Sequence, residues 1–79
     1  MSDIKISHTL DAKNLSCPLP ILKTKKAIEN VEVGEYLEVL ATDPGSVTDF
    51  EAWTRSTGHE LIDHSVDGSI YRYIIKRTK

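Results

Sequence analysis

"EYLEVLATDPGSVTDFEAWTRSTG", residues 35–58, carries a strand, a turn and a helix in one uninterrupted run. Tyr36, Glu38 and Leu40 alternate with Leu37, Val39 and Ala41, the period of a strand with two unlike faces. The alternation stops at Thr42-Asp43-Pro44-Gly45. Beyond that break Val47, Phe50, Thr54 and Thr57 fall on one helical stripe, with Trp53 at its edge. A carboxylate before a proline is the chemistry of a helix start. Asp43 is therefore expected to cap this helix, with Pro44 at its first position and Gly58 just past its end.

Working outward toward the N-terminus, a helical pattern runs from Pro18 to about Val31, with Gly34 as its stop. Pro20, Ile21, Thr24, Ala27, Ile28 and Val31 share the face expected to meet the core. Before it, "SHTLDA" (7–12) alternates weakly as a first strand, and "KNLS" forms a loop in which Asn14 tolerates a left-handed backbone. Toward the C-terminus, "HELIDHSV" and "SIYRYIIKR" read as two strands joined at Asp67-Gly68, a strong hairpin signal. The order is strand, helix, strand, helix, strand, strand. Strand–helix–strand units favour parallel pairing with right-handed crossovers, and the hairpin adds one antiparallel strand. The expected fold class is α/β: a two-layer βαβαββ sandwich in which two helices cover one face of a mixed four-stranded sheet. Leu37, Val39, Ala41, Tyr71, Tyr73 and Ile75 are the residues expected on the covered face.

The chain has 79 residues, room for a single domain with one modest core, taken as residues 1–79. Hydrophobic residues at 39% and charged residues at 28% set a globular balance, and the net charge of −2 argues against a nucleic-acid surface. No apolar run approaches a membrane span, and "MSDIKISHTLD" does not read as a signal peptide, so a cytoplasmic location is expected. One cysteine excludes an internal disulfide, and no Cys/His spacing points to a metal site. In a reducing compartment that thiol stays free.

The thiol sits in "LSCPLPILKTKK", residues 15–26. Cys17 falls at the N-cap of the first helix and Pro18 at its first position, where a missing N–H costs nothing. Pro20 is tolerated in the first turn for the same reason, and the two rings stiffen the junction. The positive end of a helix favours thiolate over thiol. Only Leu19 and Ile21 offer backbone donors there, a poor oxyanion hole that argues against acyl transfer. Away from the core face lie Leu19, Leu22, Lys23 and Lys26, the mixture of a partner-docking patch beside the reactive end. A lone cysteine can equally be a small buried hydrophobe, and its place in a loop before two prolines is what favours reactivity.

At this motif the chain resembles the TusA family, also called SirA-like, whose members carry a Cys-Pro-x-Pro signature. The likeness continues through "HTLDA", "CPLPILKTKKAI", "ATDPGSVTDFEAW", "TGHEL" and "DGSIYRYIIK", with Asn14 where the family often has glycine. The resemblance implies a sulfur carrier, formally a sulfurtransferase. It would take a sulfane sulfur as a persulfide on Cys17, framed by Pro18 and Pro20, and hand it to a partner's cysteine. The implied donor is a cysteine desulfurase or a rhodanese-type protein, and the acceptor is of the TusD/DsrE type. The implied settings are tRNA 2-thiouridine synthesis and cytoplasmic sulfur trafficking or oxidation. No cofactor, metal, direct nucleic acid or membrane is implied, and a monomer is expected. The family fold, also seen in the C-terminal domain of a bacterial translation initiation factor, agrees with the order read above.

With strand 2 parallel to strand 1, the loops after both open on one edge, which places Thr42, Asp43, Pro44 and Gly45 beside Cys17. His8, His59 and His64 lack ligand spacing and read as surface or structural residues. Trp53, Phe50, Tyr71 and Tyr73 read as core aromatics. Two other classes stay open on the residues alone. An RNA-binding module would make Cys17 dispensable and its affinity steeply salt-dependent. A regulatory interaction domain would make Cys17→Ser silent in all but stability.

Overall fold

The computed structural model describes residues 6–15 and 19–79. Cys17 and Pro18, with the capping and first-turn roles expected of them, lie outside the described residues. The elements are β1 (Ile6–Ala12), α1 (Leu19–Ala27), a 3-10 turn (Ile28–Asn30), β2 (Tyr36–Ala41), α2 (Ser46–Thr57), β3 (Glu60–Asp67) and β4 (Ile70–Lys76). They form one four-stranded sheet of order β1-β2-β4-β3. β1 and β2 are parallel, with Leu10 opposite Val39 and Ala12 opposite Ala41. β4 runs antiparallel to both of its neighbours. The hairpin strand thus slots between β2 and β3, which leaves β1 and β3 as edges. Each edge strand carries a register irregularity, at Ile6/His8 and at Leu61/Asp63, a device that discourages pairing with another chain.

The alternation read in β2 is borne out: Leu37, Val39 and Ala41 are fully buried while Tyr36, Glu38 and Leu40 are half-buried. Tyr73 and Ile75 join them in the core, and Tyr71 packs against it half-buried. α1 presents Pro20, Thr24 and Ala27 to that core, followed by Ile28 of the 3-10 turn and Val31, with Ile21 at the margin. From α2, Phe50 is wholly buried and stacks on Tyr73 at 4.4 Å between ring centroids, with Trp53 edge-on to it at 6.5 Å. Thr24 and Thr54 are buried without cost because each hydroxyl donates to a carbonyl four residues back, Pro20 O at 2.7 Å and Phe50 O at 2.9 Å.

Three boundaries differ from the sequence reading. The first helix tightens into the 3-10 turn at Ile28, and Gly34 (φ 94°) belongs to the turn before β2 instead of stopping the helix. The second helix begins at Ser46 with Gly45 as N-cap, not with Asp43 and Pro44. The Asp43 carboxylate instead accepts the Gly45 N–H at 3.1 Å and its carbonyl accepts the Ser46 N–H at 3.0 Å, so it shapes the turn that precedes the helix. At the hairpin, Asp67 still pairs with Ile70, so the loop is Gly68-Ser69 and Gly68 supplies its left-handed residue (φ 64°). Gly58 is where it was expected, left-handed (φ 87°) at the end of α2 with its N–H on Thr54 O.

Candidate functional site

The site is the sheet edge where β1 and β2 deliver their C-terminal loops. Asp11 accepts the Lys13 N–H at 3.0 Å, and Asn14 takes the left-handed conformation (φ 68°) that its residue type allows. The Asn14 N–H then donates to Thr42 Oγ1 at 2.9 Å, tying the loop after β1 to the loop after β2. The expected neighbour of the Thr42–Gly45 loop, Cys17, lies outside the described residues; the bond from Asn14 brings Thr42 to the residues that precede the motif. Leu15 packs against the core on one side of the motif, and Pro20 is buried on the other. Cys17 is therefore bracketed in sequence by two anchored residues.

One contributor to this edge escaped the sequence reading. Ser46, the first residue of α2, is buried, and its hydroxyl shares a 2.6 Å hydrogen bond with Tyr73 Oη from the sheet. That bond pins the start of α2, and with it the Thr42–Gly45 loop, to the central strand. Burial raises the Tyr73 hydroxyl pKa, opposed in part by the Ser46 bond and aided by Tyr71, Glu51 and Asp43. Tyr73 thus stays a neutral strut. No local pattern could reveal the pair, because a serine at a helix start reads as a cap.

The outer face of α1 is as read. Leu19 and Leu22 are 44% and 49% exposed, and Lys23 and Lys26 are exposed beside them. The first turn of α1 holds no acidic residue to offset the positive end of the helix. On the open face of the sheet, Arg72 pairs with Glu38, and that bond, ahead of the other influences, lowers the Glu38 pKa.

His8 and His64 are exposed, whereas His59 is half-buried and its Nδ1 accepts the Thr78 N–H at 3.1 Å. Burial first, then the charges of Arg77 and Lys79, lower its pKa below the ordinary 6.5. The unfolded chain takes up this proton more readily than the fold does. Stability is therefore complete above pH 6.5 and declines as the pH falls through and below it. Urea unfolding should show a lower midpoint at about pH 5.5 than at about pH 7.5, a difference that His59→Gln should largely remove.

Among the described residues no group of His, Cys, Asp or Glu has the arrangement of a metal site, and no helix is long and apolar enough to cross a membrane.

The sequence profile described as Sulfurtransferase TusA matches residues 8–77, nearly the whole chain. The chain belongs to the TusA family. Sulfur carrier protein TusA of Allochromatium vinosum is 46% identical to it over 69 residues, spanning 87% of this chain and 91% of that one. YrkF of Bacillus subtilis (strain 168) is 47% identical over 74 residues, 94% of this chain, but this chain spans only 40% of YrkF. The crystal structure of a SirA-like protein from Desulfitobacterium hafniense superposes with a TM-score of 0.77 over 91% of this chain and 99% of that one, at 23% identity. That structure attests the fold: the two-layer sandwich with a mixed sheet is the SirA-like one. TusA membership makes this a sulfur-carrier chain.

Proposed function

We propose that the protein carries sulfur as a persulfide on Cys17 and passes it to a cysteine of a partner protein. The observation that carries this reading is that a TusA-family chain has a single cysteine, so its cargo has one thiol on which to ride. The Cys17 thiolate attacks the outer sulfur of a donor persulfide, the new S–S bond forms, and the donor leaves as a thiolate. The acceptor thiolate then attacks the outer sulfur now on Cys17, which is released as thiolate. No electrons are gained or lost from outside in either step, and no metal or internal base is required. A carrier also benefits from lacking a second thiol, since nothing within the chain can discharge the persulfide. Pro18 and Pro20 stiffen its mount.

The donor is a cysteine desulfurase or a rhodanese-type protein and the acceptor is of the TusD/DsrE type, in the cytoplasm, with the carrier acting as a monomeric single domain. The cargo feeds tRNA thiolation or cytoplasmic sulfur trafficking, which share this step. The test is intact-mass spectrometry after incubation with a cysteine desulfurase and cysteine, or with polysulfide. One added sulfur atom that dithiothreitol removes is expected, and an unchanged mass with every donor would end the reading.

Docking falls to Leu19, Leu22, Lys23 and Lys26 on the outer face of α1. Two half-exposed leucines give apolar area and the lysines give charge that orients an acidic partner. Lys23→Glu with Lys26→Glu should slow protein-to-protein transfer about tenfold and leave loading from small polysulfide unchanged. Equal loss in both assays would remove the docking face.

A further inference from the structure

At the end of the sandwich remote from the cysteine motif, a cleft of about 220 Å³ opens where both helices finish. It lies roughly 14 Å along α1 from the start of that helix, taking nine residues at about 1.5 Å each. Lys25 and Glu29 border it from α1 and the 3-10 turn, Trp53 from the last turns of α2, then His59, and Arg77 and Lys79 from beyond β4. Three cations therefore face one carboxylate in a chain whose net charge is −2.

Its polar groups are lopsided in the same sense. Trp53 Nε1, which can only donate, is buried with no hydrogen-bond partner among the described residues. His59 spends its one acceptor, Nδ1, on the Thr78 N–H, so the neutral ring carries its proton on Nε2 as another donor. Arg77 is fixed in place: its Nη1 donates to Val31 O at 2.7 Å and Ile28 O at 3.3 Å, and its Nε to Lys79 O at 2.7 Å. Those bonds explain Arg77 as a cap for the end of the first helix. They leave Lys25, Lys79 and the indole N–H without such a reason. Lys79 reaches over Gly58, its Nζ 3.1 Å from where a side-chain carbon on that glycine would stand, so the glycine leaves the space this ammonium uses.

We propose that this cleft binds a small aromatic carboxylate, its ring on Trp53 and its carboxylate among Lys25, Arg77 and Lys79. The tryptophan supplies a flat apolar floor, and His59 stands beside it at 5.5 Å between ring centroids. A carboxylate supplies acceptors to a lining that sets three cations against the single carboxylate of Glu29, and it suits a guanidinium already held in one orientation. The volume corresponds to about seven waters at roughly 30 Å³ each, enough for one ring and its carboxylate but too little for a length of peptide. This site makes no use of Cys17 and stands apart from sulfur transfer.

Trp53 is the only tryptophan, so its indole N–H gives one isolated resonance in a proton–nitrogen correlation spectrum. Benzoate and inorganic phosphate serve as probes, titrated at constant ionic strength. Benzoate should shift that resonance saturably at millimolar concentration, with phosphate at least about tenfold weaker. Lys25→Glu with Lys79→Glu should weaken benzoate at least about tenfold while the melting temperature stays put, since both side chains are exposed. Lys25→Gln with Lys79→Gln is the milder substitute should charge reversal disturb the fold. A shift that never saturates, equal affinity for phosphate, or full benzoate affinity in the lysine variants would each overturn the site.

Discussion

Cys17→Ser is expected to lose sulfur uptake entirely, from protein donors and from polysulfide alike. Serine keeps the size and the hydrogen-bonding character of the side chain, so circular dichroism and melting should match the wild type. What it removes is the atom that can form an S–S bond. A free cysteine ionises at about 8.5 and so supplies some nucleophilic thiolate near neutral pH, whereas a serine hydroxyl does not ionise in that range at all. The chain holds no other thiol to take over. The same protein offers a graded measurement. The rate of alkylation of Cys17 in the folded protein should rise with pH as the thiol gives up its proton, since the thiolate is the nucleophile. A folded Cys17→Ser protein that still gained dithiothreitol-labile sulfur would refute the carrier reading. A Cys17→Ser protein that differs from the wild type in stability alone would favour the regulatory alternative, in which the cysteine is structural.

The residues that make this testable were legible in the sequence to different depths. The core stripe of α1, from Pro20 through Thr24 and Ala27 to Val31, and the inner face of β2 follow from periodicity, because helix and strand each force a fixed repeat on whichever side is buried. The cysteine motif rests on residue chemistry alone, a thiol before two prolines, because Cys17 and Pro18 lie outside the described residues. Contacts distant in sequence were not legible. Nothing within β4 announces that it lies between β2 and β3, yet that placement brings Tyr73 to Ser46 and buries Ile74, on the uncovered face, between Glu38 and Asp63. The start of α2 was misplaced for a related reason. Asp43-Pro44 is equally good chemistry for a cap and for a turn, and the buried Ser46–Tyr73 bond coincides with the turn reading.

Phe50→Ala should cost about 3–5 kcal/mol, the usual range for deleting a fully buried phenyl ring. A domain of 79 residues has roughly 4–12 kcal/mol to lose at about 0.05–0.15 kcal/mol per residue, so this one change removes a large share of its stability. Phe50 is the ring through which α2 meets the sheet: it stacks on Tyr73 and takes the edge of Trp53, so its loss undoes both aromatic contacts and leaves a hole at the centre. At about 4–8 °C per kcal/mol for a chain of this size, the melting temperature should fall by at least about 12 °C. Tyr73→Phe is the informative partner. It keeps the stacked ring but strands the buried Ser46 hydroxyl, at about 1–3 kcal/mol. If the start of α2 is held by that bond, Tyr73→Phe should also increase hydrogen exchange at Gly45 and Ser46 while the core amides of β2 stay protected. A Phe50→Ala protein that melted within a few degrees of the wild type would mean that α2 is held by something other than its aromatic contacts. Unchanged exchange in Tyr73→Phe would remove the hydroxyl pair as the strut of the Thr42–Gly45 loop.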